Sequence, residues 1–161
     1  MKLFHGSNTV VDHPEIAKGK PFKDFGQGFY LSDNLEQAIE MAERVAARVG
    51  VGHTPVVSTF EFDDSAMADG SLNVLRFETY TEEWAAFVMQ NRNRKLQQPI
   101  HHYDIVYGPI ADDGIVRQMR RYEMGDITLS QLMQELQYPP KITFQYFFGS
   151  EKALEKLKYL C

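Results

Sequence analysis

Three segments carry residue types able to do chemistry. The first is His5-Gly6-Ser7, which closes a short apolar stretch at the amino end. An imidazole there can donate from one nitrogen and accept at the other near neutral pH, although a histidine that ends a strand more often serves structure. The second is Asp24-Phe25-Gly26-Gln27-Gly28-Phe29-Tyr30-Leu31. Its Gly-x-Gly pair begins like a dinucleotide-binding loop, but that loop follows a strand, opens a helix and needs a third glycine. Here the glycines precede an extended Phe29-Tyr30-Leu31, so Gly26 and Gly28 read as a bulge or tight bend. The third is Gln145, a carboxamide inside the aromatic run Ile142 to Phe148. A strand puts it on the face opposite Ile142, Phe144 and Tyr146. If both faces are covered, an unbonded amide costs about 1–3 kcal/mol, and such a position commonly lines a cleft.

Other polar groups offer less. Arg92 follows Trp84 by eight residues and stays beside the apolar stripe of a helix. A guanidinium at a buried edge needs a partner, with Asp104 the structural candidate and an anionic ligand such as a pyrophosphate the functional one. Asp104, Asp112 and Asp113 invite a glycosidase or metal reading, yet an Asp-Asp-Gly turn and a strand aspartate paired to an arginine explain them more simply. His13, His53 and the adjacent His101-His102 lack metal-ligand spacing, so no metal is expected. Arg117, Arg120 and Arg121 read as a solvated helix face, with an acidic or nucleic-acid partner as the alternative.

The elements that must position these groups alternate between period two and period 3.6. Leu3 to His5 reads as a strand closed by Gly6-Ser7-Asn8, and Phe25 to Leu31 as a glycine-broken strand with Phe29 and Leu31 on one face and Tyr30 on the other. Asn34 to Val49 has Leu35, Ala38, Ile39, Ala42, Ala46 and Val49 at helical spacing, with Asp33 as N-cap, Glu36 reaching back to it and Gly50 as the stop. Val56 to Phe62 is a strand. Thr81 caps a helix running to about Lys95, and Tyr103 to Gly108 is a strand ended by Pro109. Thr128 with Gln131 forms a capping box for a helix stopped at Pro139-Pro140, with Leu129, Leu132, Met133 and Leu136 inward. Ile142 to Phe148 is the clearest strand, and Ser150 caps a last helix to about Tyr159. Helices and strands mixed without a βαβ rhythm predict an α+β fold.

The chain of 161 residues, 43% hydrophobic and with formal net charge −5, is long enough to bury a core without staples. With no repeat, low-complexity tract or linker, residues 1–161 read as one domain. No apolar run approaches the ~18 residues that would span a bilayer, and Met1 to Gly6 has no signal-peptide pattern, so the cytoplasm is expected and a membrane partner is not. The one cysteine, Cys161, forms neither an intrachain disulfide nor a paired-cysteine zinc site. An acidic balance argues mildly against a protein that coats duplex nucleic acid.

His-Gly closing one strand, Gly-Phe-Tyr inside a second and a polar residue in a later aromatic strand together resemble the His-Tyr-Glu class of ADP-ribosyltransferases. More closely, the blocks Leu3 to Ser7, Asp24 to Leu31 with Glu36-Gln37-Ala38, Asn91-Arg92, Tyr103 to Asp113, and Gln145 to Leu154 resemble a bacterial family of unknown function regarded as a distant branch of that fold. The resemblance implies a split two-sheet β core flanked by helices that clasps NAD as co-substrate. His5 would bond ribose hydroxyls, Gly6 would offer its backbone to the nicotinamide carboxamide, and Tyr30 would stack on the nicotinamide ring. Ser7, Gly28 and Arg92 would complete the NAD-binding set. Gln145 stands where the better-known transferases place a glutamate. It carries no charge for an oxocarbenium-like state and cannot act as a general base, and Glu151, in the first turn of a helix, is a weak substitute. The implied activity is ADP-ribosyl transfer to a protein or nucleic-acid acceptor, as a toxin or conflict-system effector with a cognate antitoxin or immunity protein. NAD hydrolysis, or binding of NAD or ADP-ribose without turnover, is the alternative.

Overall fold

The computed structural model describes residues 1–137 and 141–161, so the expected Pro139-Pro140 stop lies outside the described residues. In chain order the elements are β1 (Lys2–Ser7), β2 (Phe29–Leu31), α1 (Leu35–Val49), β3 (Val56–Phe62), β4 (Val74–Arg76), α2 (Glu82–Asn91), β5 (Ile105–Pro109), α3 (Asp113–Glu123), α4 (Leu129–Leu136), β6 (Phe144–Phe148), α5 (Glu151–Leu154) and β7 (Leu157–Tyr159). This is a mixed α+β arrangement with two sheets and five α-helices among the described residues. None of these helices is long and apolar enough to cross a membrane. One sheet has the order β1-β3-β7 and the other β2-β6-β5-β4, in which only β4 and β5 run parallel.

Alternation of side chains along the strands builds two cores. Leu3, Phe60 and Phe62 of the three-stranded sheet meet Phe29, Leu31, Tyr146 and Phe148 of the other. On the far face of the four-stranded sheet, Val106 and Phe147 pack with Trp84 and Val88 of α2, Ile115 and Met119 of α3, and Leu132 and Leu136 of α4. Burying each large apolar side chain stabilises by roughly 1.5–3 kcal/mol. Trp84, fully buried, also donates its indole N–H to the Pro109 carbonyl at 3.1 Å.

Several sequence expectations need correction. Helix α1 is capped by Asn34, whose side chain accepts from the Gln37 N–H at 3.2 Å, and not by Asp33. Its buried face is the three alanines Ala38, Ala42 and Ala46, whereas Leu35, Ile39 and Val49 are exposed. The helix lies so close on β1 that a side chain at Gly6 would collide with the Ala38 carbonyl, and only small residues fit that approach. The strand expected from Phe25 begins at Phe29, because Asp24 to Gly28 form a loop with Gly26 at φ 98°. The last helix stops at Leu154, and Leu157–Tyr159 returns as a strand paired with β3. The remaining departures are shifts of boundary: β1 continues through Gly6 and Ser7, which pair with β3 and do not close the strand, α2 ends at Asn91, β5 runs from Ile105 to Pro109, and β6 begins at Phe144. Strand β4 had no reading in the sequence. The caps at Thr81 and Ser150 and the Thr128–Gln131 capping box form as expected.

Candidate functional site

Strands β1 and β2 meet at a single bridge and then part. Phe4 N–H donates to the Ser32 carbonyl at 2.8 Å and Ser32 N–H to the Phe4 carbonyl at 2.9 Å. Beyond it, the His5 ring closes the fork, with Nδ1 2.8 Å from the Tyr30 carbonyl. A carbonyl only accepts, so Nδ1 carries the proton and Nε2 is the bare acceptor. Burial holds the His5 pKa below its usual value, opposed by the bond to Tyr30, and the neutral ring is thereby kept. Gln37 Oε1 and Ser71 Oγ are the fully buried side-chain polar atoms left without a partner among the described residues. His5 Nε2 has no hydrogen-bond partner among the described residues.

Tyr30 points the other way. The His5 ring packs on Phe29, with centroids 4.5 Å apart, toward the core between the sheets, whereas Tyr30 meets Phe147 at 5.2 Å on the opposite face of the four-stranded sheet. Its hydroxyl is fully committed, donating to the Gly26 carbonyl at 2.7 Å and accepting from the Phe25 N–H at 3.0 Å. Burial raises its pKa well above the ordinary phenol value. Taken as a whole residue, Tyr30 is half-buried.

Gln145 shares that face with Tyr30, because Tyr30 pairs with Phe147, two residues along β6. Its Nε2 donates to Asp24 Oδ2 at 3.0 Å. The same oxygen accepts from the Ala111 N–H at 3.1 Å, and Asp24 Oδ1 accepts from Arg92 Nη1 at 2.8 Å. One buried carboxylate thus joins the glycine loop, the end of α2, the exit of β5 and the middle of β6. Gln145 Oε1 makes no bond in this network. The arrangement also accounts for a glutamine at this position: a glutamate would set a second carboxylate against Asp24.

Of the residues singled out in the sequence, Tyr30, Gln145 and Arg92 are brought around the loop from Asp24 to Gly28, and His5, Gly6 and Ser7 around the fork on the other side of β2. The three groups His5, Tyr30 and Gln145 are therefore linked through the Tyr30 backbone and do not all project to one side. Gly28 is required by packing as well, since a side chain there would collide with the Phe147 ring. Asp104 is not the partner of Arg92. It accepts from the Asn73 N–H at 2.7 Å and from the Ser150 hydroxyl. Asp112 caps α3 through the Ile115 N–H at 2.8 Å. Sequence reasoning missed Asp24, whose three donors come from 68, 87 and 121 residues away. Its type was the available signal, an acid at the mouth of a glycine turn in a chain with an arginine in need of a partner. His101 was also passed over. Its Nε2 donates to the Phe25 carbonyl at 2.7 Å while Nδ1 accepts from the Tyr103 N–H at 3.1 Å, so it locks the loop from behind.

The sequence model of a family described as "Protein of unknown function (DUF3990)" matches residues 1–159, and the chain belongs to that family. No curated protein matches the chain.

Proposed function

We propose that this protein binds NAD across the fork where β1 and β2 separate, cleaves the nicotinamide–ribose bond and transfers ADP-ribose to a macromolecular acceptor. The observation that carries the reading is the His5 bond to the Tyr30 carbonyl, which fixes the imidazole with Nε2 as an unbonded acceptor beside a strand fork. In this reading Nε2 accepts from a ribose hydroxyl, and the backbone of Gly6 and Ser7 lines the same edge. Tyr30 offers its ring to the nicotinamide, which an aromatic face holds better as a cation. Gln145 Oε1, oriented by the Nε2 bond to Asp24, accepts a second hydroxyl as positive charge grows on the ribose. Arg92 spends one nitrogen on Asp24 and has others for a phosphate.

Gln145 cannot act as a base, so the proton that the attacking group loses passes to a base on the acceptor or to water, while nicotinamide leaves with the electrons of the broken bond. A second reading, binding of NAD or ADP-ribose without turnover, is favoured by the commitment of the Tyr30 hydroxyl and the Gln145 amide to the Asp24 loop. NAD labelled in its adenylate half, incubated with the protein and a cell lysate, separates the readings. Label on macromolecules, lost in His5→Ala, supports transfer. Nicotinamide release without label supports hydrolysis, and NAD that binds but stays intact supports the second reading. NAD that neither binds nor reacts removes all three. Growth arrest on expression, relieved by His5→Ala, would favour a toxin.

A further inference from the structure

Behind the glycine loop, a cavity of about 490 Å³ opens between the last turn of α2 and the segment entering β5. Phe87, His101 and Tyr103 form its aromatic wall, with Phe87 and His101 centroids 4.9 Å apart. Exposed Gln90 and Asn73 stand at its rim, and neither side chain has a hydrogen-bond partner among the described residues. A flat ring fits such a wall, and carboxamides with both donors and acceptors free suit the edge of a nucleobase.

A run of uncompensated positive charge begins beside it. Arg94 and Lys95 follow Gln90 so closely that the Arg94 Cα lies at most about 14 Å from that of Gln90. Arg94 extends over the Phe22 ring, 5.7 Å from its centroid. Phe22 itself is held at φ 60°, a left-handed conformation that is strained for a non-glycine residue. Lys20 and Lys23 flank it in sequence. Partial burial lowers the Lys23 pKa, and although Asp24 opposes this, Lys20, Arg92 and Arg48 push it further the same way. Lys20, Lys23, Arg48, Arg94 and Lys95 make no salt bridge among the described residues. In a chain with formal net charge −5, such a local field is complementary to an anion, and its continuity with an aromatic cavity specifies a repeating one that carries bases.

We propose that this surface binds single-stranded nucleic acid, one base entering the cavity against Phe87 and Tyr103 while the neighbouring phosphates lie along Arg94, Lys95, Lys20 and Lys23. The inference concerns binding and stands whether or not the protein consumes NAD, so it is tested with no NAD present. Fluorescence anisotropy with labelled single-stranded RNA and DNA homopolymers, the matching duplexes and heparin reads the affinity across a salt series. Single strands should bind more tightly than duplex or heparin. With four phosphates neutralised, the slope of log K against log salt should be roughly −3. Arg94→Glu with Lys95→Glu should weaken binding by at least about 10-fold and reduce the slope by about 1.4, two phosphate contacts at 0.7 each. Gln90→Ala should change the preference among bases and leave the slope intact. All these residues are exposed, and an unchanged thermal transition by circular dichroism confirms that the variants fold. Equal affinity for heparin, a preference for duplex, or affinity untouched by the double charge reversal overturns the proposal.

Discussion

The two sides of strand β2 treat their polar groups differently. On one side, at the fork, His5 uses one ring nitrogen to fix its orientation and leaves the other bare. On the other, around Asp24, the carboxylate takes three donors, the Tyr30 hydroxyl is bonded twice, and both nitrogens of His101 are engaged. Two histidines one strand apart in role thus hold opposite tautomers, His5 protonated at Nδ1 and His101 at Nε2. The contrast teaches where this fold has bonding capacity to offer a ligand and where it spends that capacity on its own architecture. The fork keeps one ring nitrogen uncommitted. The Asp24 network is chiefly scaffold, with Gln145 Oε1 and the outer nitrogens of Arg92 as its spare groups.

Removing the scaffold's centre should have the largest effect. Asp24→Ala leaves the Gln145 amide and the Ala111 N–H without their acceptor, at about 1–3 kcal/mol for each donor left unpaired, and releases the half-exposed Arg92 guanidinium. Chemical denaturation should show that loss, and a change under 1 kcal/mol would mean that the network behaves as surface, erasing the contrast. Gln145→Glu comes next, at about 1–3 kcal/mol near neutral pH, from a carboxylate desolvated against Asp24. The new acid's pKa is raised in the folded state. Its penalty is therefore absent below the unfolded value of about 4.3 and grows as pH rises through the folded value. Denaturation of this variant at acid and neutral pH reads the sign directly.

Tyr30→Phe should cost about 1–2 kcal/mol, since the Phe25 N–H loses its acceptor. The smallest stability change belongs to His5→Ala, about 0.5–1.5 kcal/mol for one hydrogen bond, and its signature lies in pH. With the folded pKa of His5 depressed by burial, the unfolded chain takes the proton first. The contribution is thus full above about 6.5 and is lost as pH falls from there through the folded value. His5→Ala should flatten that acid limb in urea midpoints without abolishing it, because burial depresses His101 as well.

What the sequence made legible follows the range of the forces involved. Caps at Thr81, Thr128 and Ser150 depend on residues three apart and were readable. So were the faces of β6, where Gln145 and Phe147 oppose Tyr146 and Phe148. Helix α1 was readable as a helix but not for its depth, because its distance from β1 is set by Gly6, which no periodicity in the helix reports. The turn of the chain after Leu154 into β7 was hidden because four residues of helix and three of strand leave no period to detect. At the site, types were legible and partners were not. Arg92 announced a need for an anion, yet the choice of Asp24 over Asp104 is made by tertiary folding alone.

The proposed NAD site depends on the free nitrogen of His5. Nitrogen-15 NMR of the labelled imidazoles, with His5 assigned by its absence in His5→Ala, reads both ring nitrogens as NAD is added. Nδ1 should carry the proton in the free protein, and Nε2, unprotonated at neutral pH, should shift toward a hydrogen-bonded acceptor as NAD saturates. A proton on Nε2 before addition, or a His5 spectrum indifferent to NAD, would contradict it.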